Sequence, residues 1–420
     1  MSPRLLRWGL AALLALSLLA ALVWVLNRRD ESPIAQHQPP TALAPEQVAR
    51  GAYLARAGNC LGCHTARGGA PYAGGRAIDT PFGTVYSSNL TPDADTGLGR
   101  WSADHFWRAL HNGRSRDGRL LYPAFPYPDY TQVARADADA IYAYLRSLPP
   151  VKQPNRAHVL RFPYDTQAAL AVWRALYFRP GVYRPEPERS AEWNRGAYLV
   201  RGLGHCVACH AGRNLLGATA VGSQAELSGG LIPLQNWYAP SLAASAEASV
   251  DELVRLLKTG VSARSAVMGP MAEVVFRSTQ HMSVDDLRAM AVYLQSLPRP
   301  KPVRDEKPPK PDPAQMQLGQ RLYKDHCADC HGEQGQGAPG VYPALAGNPA
   351  VTMDSPTNLL HAIVSGGFAP ATAGNPRPYG MPPFGQVLND REVAALATYV
   401  RNAWGHEAQA VQPLEVLRLR

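Results

Sequence analysis

The 420-residue chain has no cysteine outside three short motifs, because its six cysteines all lie in Cys-x-x-Cys-His runs. No thiol is left over for a structural disulfide. The chain also lacks a Gly-x-Gly-x-x-Gly or P-loop motif, so a nicotinamide or nucleotide site is not expected. The net charge of +9, from 42 Lys and Arg against 33 Asp and Glu, is spread along the chain. No basic run alternates with aromatics, so nucleic acid is not an expected partner, and an anionic membrane surface or an acidic protein face fits better.

Residues 1–30 contain a long apolar run, Leu10–Leu26, with Arg4 and Arg7 before it. This run is at the short end of the length that spans a membrane. A cleaved signal peptide would have small residues directly after the apolar run, but the Ala-x-Ala pattern Ala42–Ala44 lies far downstream. We therefore expect an uncleaved membrane anchor, with a removed signal peptide as the alternative.

Each cysteine pair is followed directly by a histidine, which is the spacing that attaches c-type haem. The two thiols add across the vinyl groups of haem, and the histidine supplies the proximal nitrogen to iron. One such motif could be half of a zinc site or a thioredoxin-type redox pair, but three copies with no other cysteine favour haem. We predict three covalently bound haem c groups. The attachment residues and proximal ligands are Cys60, Cys63 and His64, then Cys206, Cys209 and His210, and then Cys327, Cys330 and His331.

The motifs lie in three sequence repeats, each mostly helical. Each repeat opens with a helical segment whose glycine stands at a similar distance before the first cysteine: Gly51, Gly196 and Gly319. Each closes with an amphipathic helix that carries a tyrosine: Tyr144, Tyr293 and Tyr399. Middle helices are predicted over 104–112, 250–259 and 358–365, each ended by a glycine. Candidate N-caps of the closing helices are Asp137, Ser283 and Asn389 or Asp390.

The repeats resemble the class I cytochrome c fold, in which the first and last helices cross where a glycine meets an aromatic residue. The resemblance implies a mainly α protein with three class I cytochrome c domains in tandem after an N-terminal transmembrane helix. The expected segments are a membrane anchor at 1–30, a linker at 31–45, a first domain at 46–150, a linker with a packing helix at 151–189, a second domain at 190–298, a proline-rich linker at 299–313, a third domain at 314–405 and a C-terminal tail at 406–420.

The two interdomain linkers differ in composition. A helix rich in apolar and aromatic residues is predicted over 166–178; it is either a strut between the first two domains or a face that docks a partner subunit or the membrane. Residues 298–313 contain seven prolines, which predicts an extended, semi-rigid spacer. The third domain is therefore expected to be less tightly coupled to the other two.

The sixth iron ligand must come from farther along the chain, and methionine is the usual choice in electron-carrying cytochromes c. In the third repeat Met381 stands well after His331, in a Gly-Met-Pro-Pro run that resembles the family's ligand loop. In the second repeat Met271, in a Gly-Pro-Met run, is the predicted ligand, with Met268 as the alternative.

The first repeat contains no methionine. Phe125 follows His64 at the same offset at which Met271 follows His210. Phenylalanine cannot ligate iron, so the first haem is either five-coordinate or bound by another residue. The nearby histidines are His105, His111 and His158, all more typical of surface positions. Without a thioether ligand the first haem is expected to have the lowest potential, as an entry point for electrons would.

Further stretches carry a resemblance that covers nearly the whole chain. They are residues 81–92 and 97–102 in the first repeat and residues 190–199 and 269–275 in the second. They resemble the three-haem cytochrome c subunit of membrane-bound periplasmic dehydrogenases, both quinone-dependent alcohol dehydrogenases and flavin-dependent gluconate, sorbitol and fructose dehydrogenases. The resemblance implies that a large partner subunit oxidises substrate and that electrons pass through the haems to ubiquinone.

Phe125 departs from that family, which usually has methionine at this place. The Pro-Ala-Phe-Pro run at 123–126 instead resembles a related branch, which accompanies molybdenum-containing aldehyde or N-heterocycle dehydrogenases. The partner is therefore expected to be a dehydrogenase of the quinoprotein, flavoprotein or molybdenum type.

Three functions are consistent with these residues. The first is an electron-transfer subunit in the cytoplasmic membrane that passes electrons from a dehydrogenase to the respiratory chain. Its body lies in the periplasm, because c-type haem is attached outside the cytoplasm. The second is a free-standing tethered carrier that feeds a terminal oxidase, and the third is a haem enzyme acting at an open first haem. No acid/base pair stands out beside Phe125, so no substrate-oxidising site of its own is expected.

Overall fold

The computed structural model describes residues 3–34, 43–220, 226–298 and 308–420. The chain forms two compact units. The first comprises residues 1–186 with 201–205 and 214–218, and the second comprises the rest. Most of the proline-rich linker, residues 299–307, lies outside the described residues, so its extended conformation stays a prediction.

Helices dominate the first unit, and a small antiparallel sheet accompanies them. The helices are α1 (Pro3–Leu26), α2 (Pro45–Ala57), α3 (Cys60–Cys63), α4 (Ala103–Asn112), α5 (Tyr127–Tyr130), α6 (Arg135–Ser147) and α7 (Gln167–Tyr177). The strands are β1 (Ala77–Thr80), β2 (Gly83–Tyr86) and β3 (Val159–Leu160), in the order β1-β2-β3. The register pairs Ala77 with Tyr86 and Gly83 with Leu160. The chain after α6 therefore returns to the loop that follows the first cysteine motif.

The second unit has the same mainly helical composition. Its helices are α8 (Ala191–Ala197), α9 (Val207–His210), α10 (Val250–Thr259), α11 (Gly269–Arg277), α12 (Val284–Gln295), α13 (Pro313–His326), α14 (Ala328–His331), α15 (Pro349–Thr352), α16 (Thr357–Ser365), α17 (Asp390–Asn402) and α18 (Pro413–Leu417). A π-helical segment, Tyr198–Leu203, follows α8, and 3-10 turns lie at Leu242–Glu247 and Thr279–His281. Two antiparallel pairs complete it: β4 (Gly230–Ile232) with β5 (Trp237–Ala239), and β6 (Gly367–Phe368) with β7 (Gly380–Met381).

Three helix pairs cross at a glycine: α2 with α6, α8 with α12, and α13 with α17. A Cβ atom on Gly51 would overlap the carbonyl oxygen of Ala140 and lie 2.9 Å from the Cβ of Tyr144. The other two crossings place Gly196 against Ala289 and Tyr293, and Gly319 against Ala395 and Tyr399. The predicted meeting of glycine and tyrosine is confirmed at each crossing, because only a residue without a side chain lets the two backbones approach this closely.

The predicted ends of the helices are mostly confirmed. The side chains of Ser283 and Asn389 accept backbone N–H groups in the first turns of α12 and α17. The prediction that Asp137 caps the first closing helix is wrong, because it lies inside α6, is buried and pairs with Arg50. The middle helices α4, α10 and α16 end at glycines with positive φ: Gly113, Gly260 and Gly366.

By length and composition α1 suits a membrane span, with 24 residues and a mean hydropathy of 2.5 over its best window. At 1.5 Å per residue it extends ~36 Å, which exceeds the ~30 Å hydrocarbon core of a bilayer. The C-terminal end of α1 is held against the rest of the first unit through Asn27, which is buried. The Nδ2 of Asn27 donates to the carbonyl oxygen of Ala171 in α7 at 2.8 Å, and Arg174 Nε donates to Asn27 Oδ1 at 2.8 Å. The residues directly after α1 are therefore part of the folded first unit.

The linker helix predicted over 166–178 is confirmed as α7, which the side chain of Thr166 caps. Arg174 on α7 is 3% exposed and also donates from Nη1 to the carbonyl oxygen of Asn112 at 2.6 Å. The helix thus joins the end of α1 to the end of α4 inside one unit. These contacts do not reach the second domain, so the interpretation of α7 as a strut between the first two domains stays a prediction.

Replacing Arg174 with leucine is expected to destabilise the first unit by about 2–4 kcal/mol, because the buried oxygens of Asn27 and Asn112 lose a charged donor. Thermal unfolding of the full chain measures the loss, and limited proteolysis should cut the segment after α1 faster. Arg67→Leu is the matched control at an exposed arginine, with a change within about 0.5 kcal/mol. Equal stability of the two variants would contradict this account of the Asn27 contacts.

The second and third repeats are joined within the second unit. The side chain of Asn358 bonds both backbone groups of Tyr238, accepting from its N–H at 2.9 Å and donating to its carbonyl oxygen at 2.7 Å. The ring of His361 stacks on Trp237 with centroids 4.6 Å apart, and its Nε2 lies 2.8 Å from the carbonyl oxygen of Asn236. The expectation of a loosely coupled third repeat is therefore wrong for the second repeat, because contacts outside the linker join these two repeats.

The segment expected as a C-terminal tail, 406–420, packs against the third repeat. Val411 and Val416 are buried, and α18 contacts α17. Arg420 Nε donates to Asp390 Oδ1 at 2.7 Å. The segment thus contributes to the core of the repeat that precedes it.

Candidate haem-binding sites

Each Cys-x-x-Cys-His run forms a single helical turn. The backbone N–H of the histidine donates to the carbonyl oxygen of the first cysteine at 2.9 Å in all three runs. The described residues contain no disulfide. Cys209 and Cys330 are exposed, and the first cysteines of the three runs are half-buried or buried. A single turn brings both thiols and the imidazole to one end of a short helix, which suits two thioether bonds and one axial ligand.

The three histidines make the same hydrogen bond. In each, the ring Nδ1 lies close to a backbone carbonyl oxygen of a later loop: His64 to Ser88 at 2.7 Å, His210 to Pro240 at 2.7 Å and His331 to Pro343 at 2.9 Å. A carbonyl can only accept, so Nδ1 carries the proton and Nε2 is left with a free lone pair. Such a bond fixes the tautomer and orientation of a metal-binding histidine.

The electrostatics of these histidines agree with ligation. Burial lowers the pKa of His64, His210 and His331 below the ordinary value, although the carbonyl bond acts in the opposite direction. The imidazoles are therefore neutral at physiological pH, which is the form that binds iron. Among the described residues no group of three or more His, Cys, Asp or Glu side chains is arranged to hold a metal ion alone. The two thiols and the neutral imidazole of each run fit haem c.

In the third repeat the predicted ligand Met381 lies on β7, which pairs with β6 in the register Gly367 to Met381. The preceding Tyr379 packs edge-on against Tyr342, with ring centroids 5.4 Å apart. The neighbouring Cys330 thiol raises the pKa of Tyr342. The methionine loop and the cysteine motif of this repeat are therefore connected through a pair of tyrosines.

In the second repeat the predicted ligand Met271 lies in the first turn of α11. Gly269 before it has φ +56° and packs on the ring of Trp237, where a Cβ would lie 2.5 Å away. Trp237 opens β5, and Pro240 directly after β5 accepts the hydrogen bond of His210. The loop of Met271 is therefore close in the fold to His210, the predicted proximal ligand.

The other methionines of the second repeat have different surroundings. Met282 and Met290 are buried in the core around α12. The terminal methyl of Met268 packs on Gly367, where a Cβ would lie 2.7 Å from it. Met268 is thus engaged against β6, which supports the choice of Met271.

In the first repeat Phe125 lies in a turn and is half-buried. Its ring is 5.4 Å from that of Tyr130, whose hydroxyl donates to the carbonyl oxygen of Gly58 at 2.9 Å. Burial raises the pKa of Tyr130 well above its ordinary value, and the nearby Cys60 and Cys63 thiols raise it further. Phe125 is therefore one aromatic ring away from the first cysteine motif.

The three histidines considered as alternative ligands have other contacts. The expectation of an exposed His111 is wrong: it is 3% exposed, its Nδ1 lies 2.9 Å from the carbonyl oxygen of Thr131, and its Nε2 lies 3.0 Å from Asp30 Oδ2. His105 Nδ1 lies 2.8 Å from Ser102 Oγ in the capping box of α4. The Nδ1 of His158, in the linker, accepts the backbone N–H of Tyr86 at 3.2 Å. Both ring nitrogens of His111 are thus already engaged.

Two features near the sites were missed from the sequence. His205, which directly precedes the second motif, lies in the first unit with its ring centroid 5.1 Å from that of Tyr130. At the helix crossing of the second repeat, Arg195 donates from Nε and Nη2 to both carboxylate oxygens of Asp286 at 2.8 Å. This ion pair could have been predicted from the sequence, because Arg50 and Arg195 each stand directly before a crossing glycine.

Comparison with known proteins agrees with this geometry. The cytochrome c family profile matches residues 48–149 and 316–404. The chain is 38% identical to the cytochrome c subunit of alcohol dehydrogenase (quinone) from Gluconobacter oxydans, over 89% of this chain and 82% of that protein. It is 37% identical to the gluconate 2-dehydrogenase cytochrome c subunit of Pantoea cypripedii, over 95% and 94% of the two chains.

A further relative is longer than this chain. A nicotinate dehydrogenase subunit of Pseudomonas putida is 44% identical over 95% of this chain, but the chain spans only about a third (34%) of that protein. The two cytochrome c subunits, in contrast, are matched over most of their length. The chain therefore belongs to the cytochrome c family, among the cytochrome c subunits of membrane-associated dehydrogenases, whose members bind haem c covalently and transfer electrons.

Proposed function

We propose that the chain holds three haem c groups, one in each of the domains at 46–150, 190–298 and 314–405. The main support for this proposal is that one arrangement occurs three times. It consists of a helical turn with two thiols and of a histidine whose Nδ1 lies against a loop carbonyl. The attachment residues are Cys60, Cys63, Cys206, Cys209, Cys327 and Cys330, the proximal ligands are His64, His210 and His331, and the methionine ligands are Met271 and Met381.

When bound, haem c supplies a one-electron ferric/ferrous couple. The residues of this chain hold and orient it: the cysteines attach it, and the histidine presents Nε2 because Nδ1 is engaged. A methionine thioether as sixth ligand raises the potential. The first repeat offers Phe125 instead, so its site is proposed to have the lowest potential of the three.

We propose that the electrons come from a partner dehydrogenase and pass to ubiquinone or a terminal oxidase. The helix α1 is the uncleaved anchor in the cytoplasmic membrane, since Asn27 is built into the first unit. The body lies in the periplasm, where c-type haem is attached. Among partner types, the 44% identity to a nicotinate dehydrogenase subunit and the Pro-Ala-Phe-Pro run favour a molybdenum enzyme that oxidises an N-heterocycle.

Changing Cys206 and Cys209 to serine is expected to remove one haem of three. Haem absorbance per polypeptide should then fall by about one third, and the mass of the mature chain should fall by one haem group beyond the change in side chains. Ala208→Ser, between the two cysteines, is the matched control and should keep full haem content. A wild-type mass equal to that of the bare polypeptide, after expression with a working maturation system, would exclude the proposal.

The partner is tested by purifying the complex from native membranes. A dehydrogenase subunit should copurify with the chain, and its substrate, tested first with nicotinate, should reduce the haems of the complex. Reduction only by other cytochromes, with no copurifying subunit, would identify a free-standing carrier instead.

A further inference from the structure

The first unit has an arginine-lined cavity directly after α1. Its volume is about 540 Å³, and its lining includes Arg29, Asp30, Arg179, Gly181, Val182 and Arg184. Arg29 follows closely on Leu26, the last residue of α1. A helix of ~36 Å reaches past the hydrocarbon core into the headgroup layer. If α1 is the membrane anchor of the proposed function, the cavity lies at the level of the lipid headgroups.

The cavity has an excess of positive charge that the protein leaves unneutralised. The carboxylate of Asp30 faces His111, with 3.0 Å between Oδ2 and Nε2. Within the part of the chain that the structure describes, Arg29 and Arg184 have neither an ion-pair partner nor a hydrogen-bond partner. Two guanidinium groups are thus available for an anion from outside the protein.

The third guanidinium is held in place by the end of α7. Arg179 Nη1 donates to the carbonyl oxygens of Ala175 at 3.0 Å and Phe178 at 2.8 Å. These bonds occupy one nitrogen of the guanidinium group and limit its mobility. A preorganised arginine binds a phosphate with less loss of side-chain entropy than a free one.

Exposed apolar residues lie on α7, the helix that ends two residues before the cavity residue Arg179, and in the cavity itself. Val172 and Leu176 on the outer face of α7 are 48% and 57% exposed, and Val182 in the cavity is 40% exposed. The opposite face of α7 is buried through Leu170 and Ala175. A helix with one face packed on protein and an apolar outer face beside arginines has the composition of a helix that lies in a membrane interface.

We propose that this cavity binds the phosphate group of an anionic phospholipid, with Arg29, Arg179 and Arg184 around the phosphate and the acyl chains along Val172, Leu176 and Val182. Arginine suits this ligand because its planar fork donates two hydrogen bonds to phosphate oxygens. A soluble phosphate shares the charge but not the acyl chains. The exposed apolar residues and the end of α1 therefore select the lipid.

The test uses the full-length haem-loaded protein in a neutral detergent. Short-chain phosphatidylglycerol, phosphatidylcholine and inorganic phosphate are titrated separately, and binding is measured by native mass spectrometry and by the shift in melting temperature. Wild type should prefer phosphatidylglycerol over phosphatidylcholine by about tenfold or more, since each arginine at a lipid surface contributes about fivefold. The variant R29Q/R179Q/R184Q should bind the two lipids equally.

The matched control is R321Q/R377Q/R391Q, which removes three exposed arginines outside the cavity and should keep the wild-type preference. An unchanged preference in the cavity variant would overturn the proposal. So would equal stabilisation by inorganic phosphate, which would identify a site for soluble anions. The readout is independent of electron transfer, and extraction of the wild type from membranes by alkaline carbonate would separately disprove the anchor.

Discussion

Replacing Gly196 with alanine is expected to lower the free energy of unfolding of the second repeat by about 2 kcal/mol, the usual scale of an overpacked core position. Two effects of opposite sign compete at this position. Alanine is the better helix former by about 1 kcal/mol. However, its Cβ would overlap the carbonyl oxygen of Ala289, and separating α8 from α12 costs about 3 kcal/mol. The steric effect is the larger of the two, because the overlapping atom is a backbone carbonyl oxygen, which cannot move away by a change of rotamer.

The measurement is the melting temperature of the haem-loaded full chain, with haem absorbance per polypeptide as a second readout. A loss of about 2 kcal/mol corresponds to a fall of about 10 °C for a domain of this size. Gly181→Ala is the control, because nothing lies within 4 Å of a Cβ at that position. Gly51→Ala and Gly319→Ala should behave like Gly196→Ala. If Gly196→Ala had the same melting temperature as the control, the helix crossing would not require glycine.

The helix crossings could be predicted from the sequence because their signal is local and repeated. A glycine at a similar distance from a cysteine motif and a tyrosine in a closing helix recur in three places. The middle helices were also predicted to within one residue, since an apolar period and a terminal glycine define them.

Long-range polar contacts could not be predicted in this way. The bonds between Asn358 and the backbone of Tyr238 join residues 120 positions apart, and no periodicity indicates them. His111 was expected at the surface because it ends an amphipathic helix. Its partner Asp30 comes from a segment 81 residues away, which covers it.

In the candidate sites, too, local features could be predicted from the sequence and long-range contacts could not. The proposed attachment cysteines and proximal histidines are predicted from the motif alone. The carbonyl partners of the histidines lie 24, 30 and 12 residues after them, so no common spacing identifies Ser88, Pro240 and Pro343. Only the folded chain shows that three loops of different length supply the same hydrogen bond.

Among the differences between the three repeats, the residue at the position of Phe125 has the largest chemical consequence. Phe125 occupies the offset of Met271, and its ring packs on Tyr130 beside the first cysteine motif. Of the three histidines considered, His111 uses both ring nitrogens within the first unit. His205 is a further histidine near the first cysteine motif, since its ring lies against Tyr130. The sixth position in the first repeat is therefore expected to be open, with His205 as the competing ligand.

Phe125→Met is expected to convert the first haem from a high-spin to a low-spin ferric centre and to raise its potential by ~0.1–0.3 V, a fraction of the ~0.8 V range that axial ligands control. Methionine is flexible enough to reach into the volume that the phenyl ring leaves. Electron paramagnetic resonance of the oxidised protein follows the spin state, and a spectroelectrochemical titration follows the potential. The other two haems should keep their potentials, because their ligands come from the second unit.

Phe125→Leu separates ligation from packing, because leucine also removes the ring but brings no sulfur. It should leave the first haem high-spin and its potential close to that of wild type, so a change shared by both variants would point to solvent access and not to the thioether. Three low-spin His/Met signals in wild type would contradict the open site directly. A low-spin first haem that becomes high-spin in His205→Ala would instead assign the sixth ligand to His205, and Phe125 would then be a packing residue.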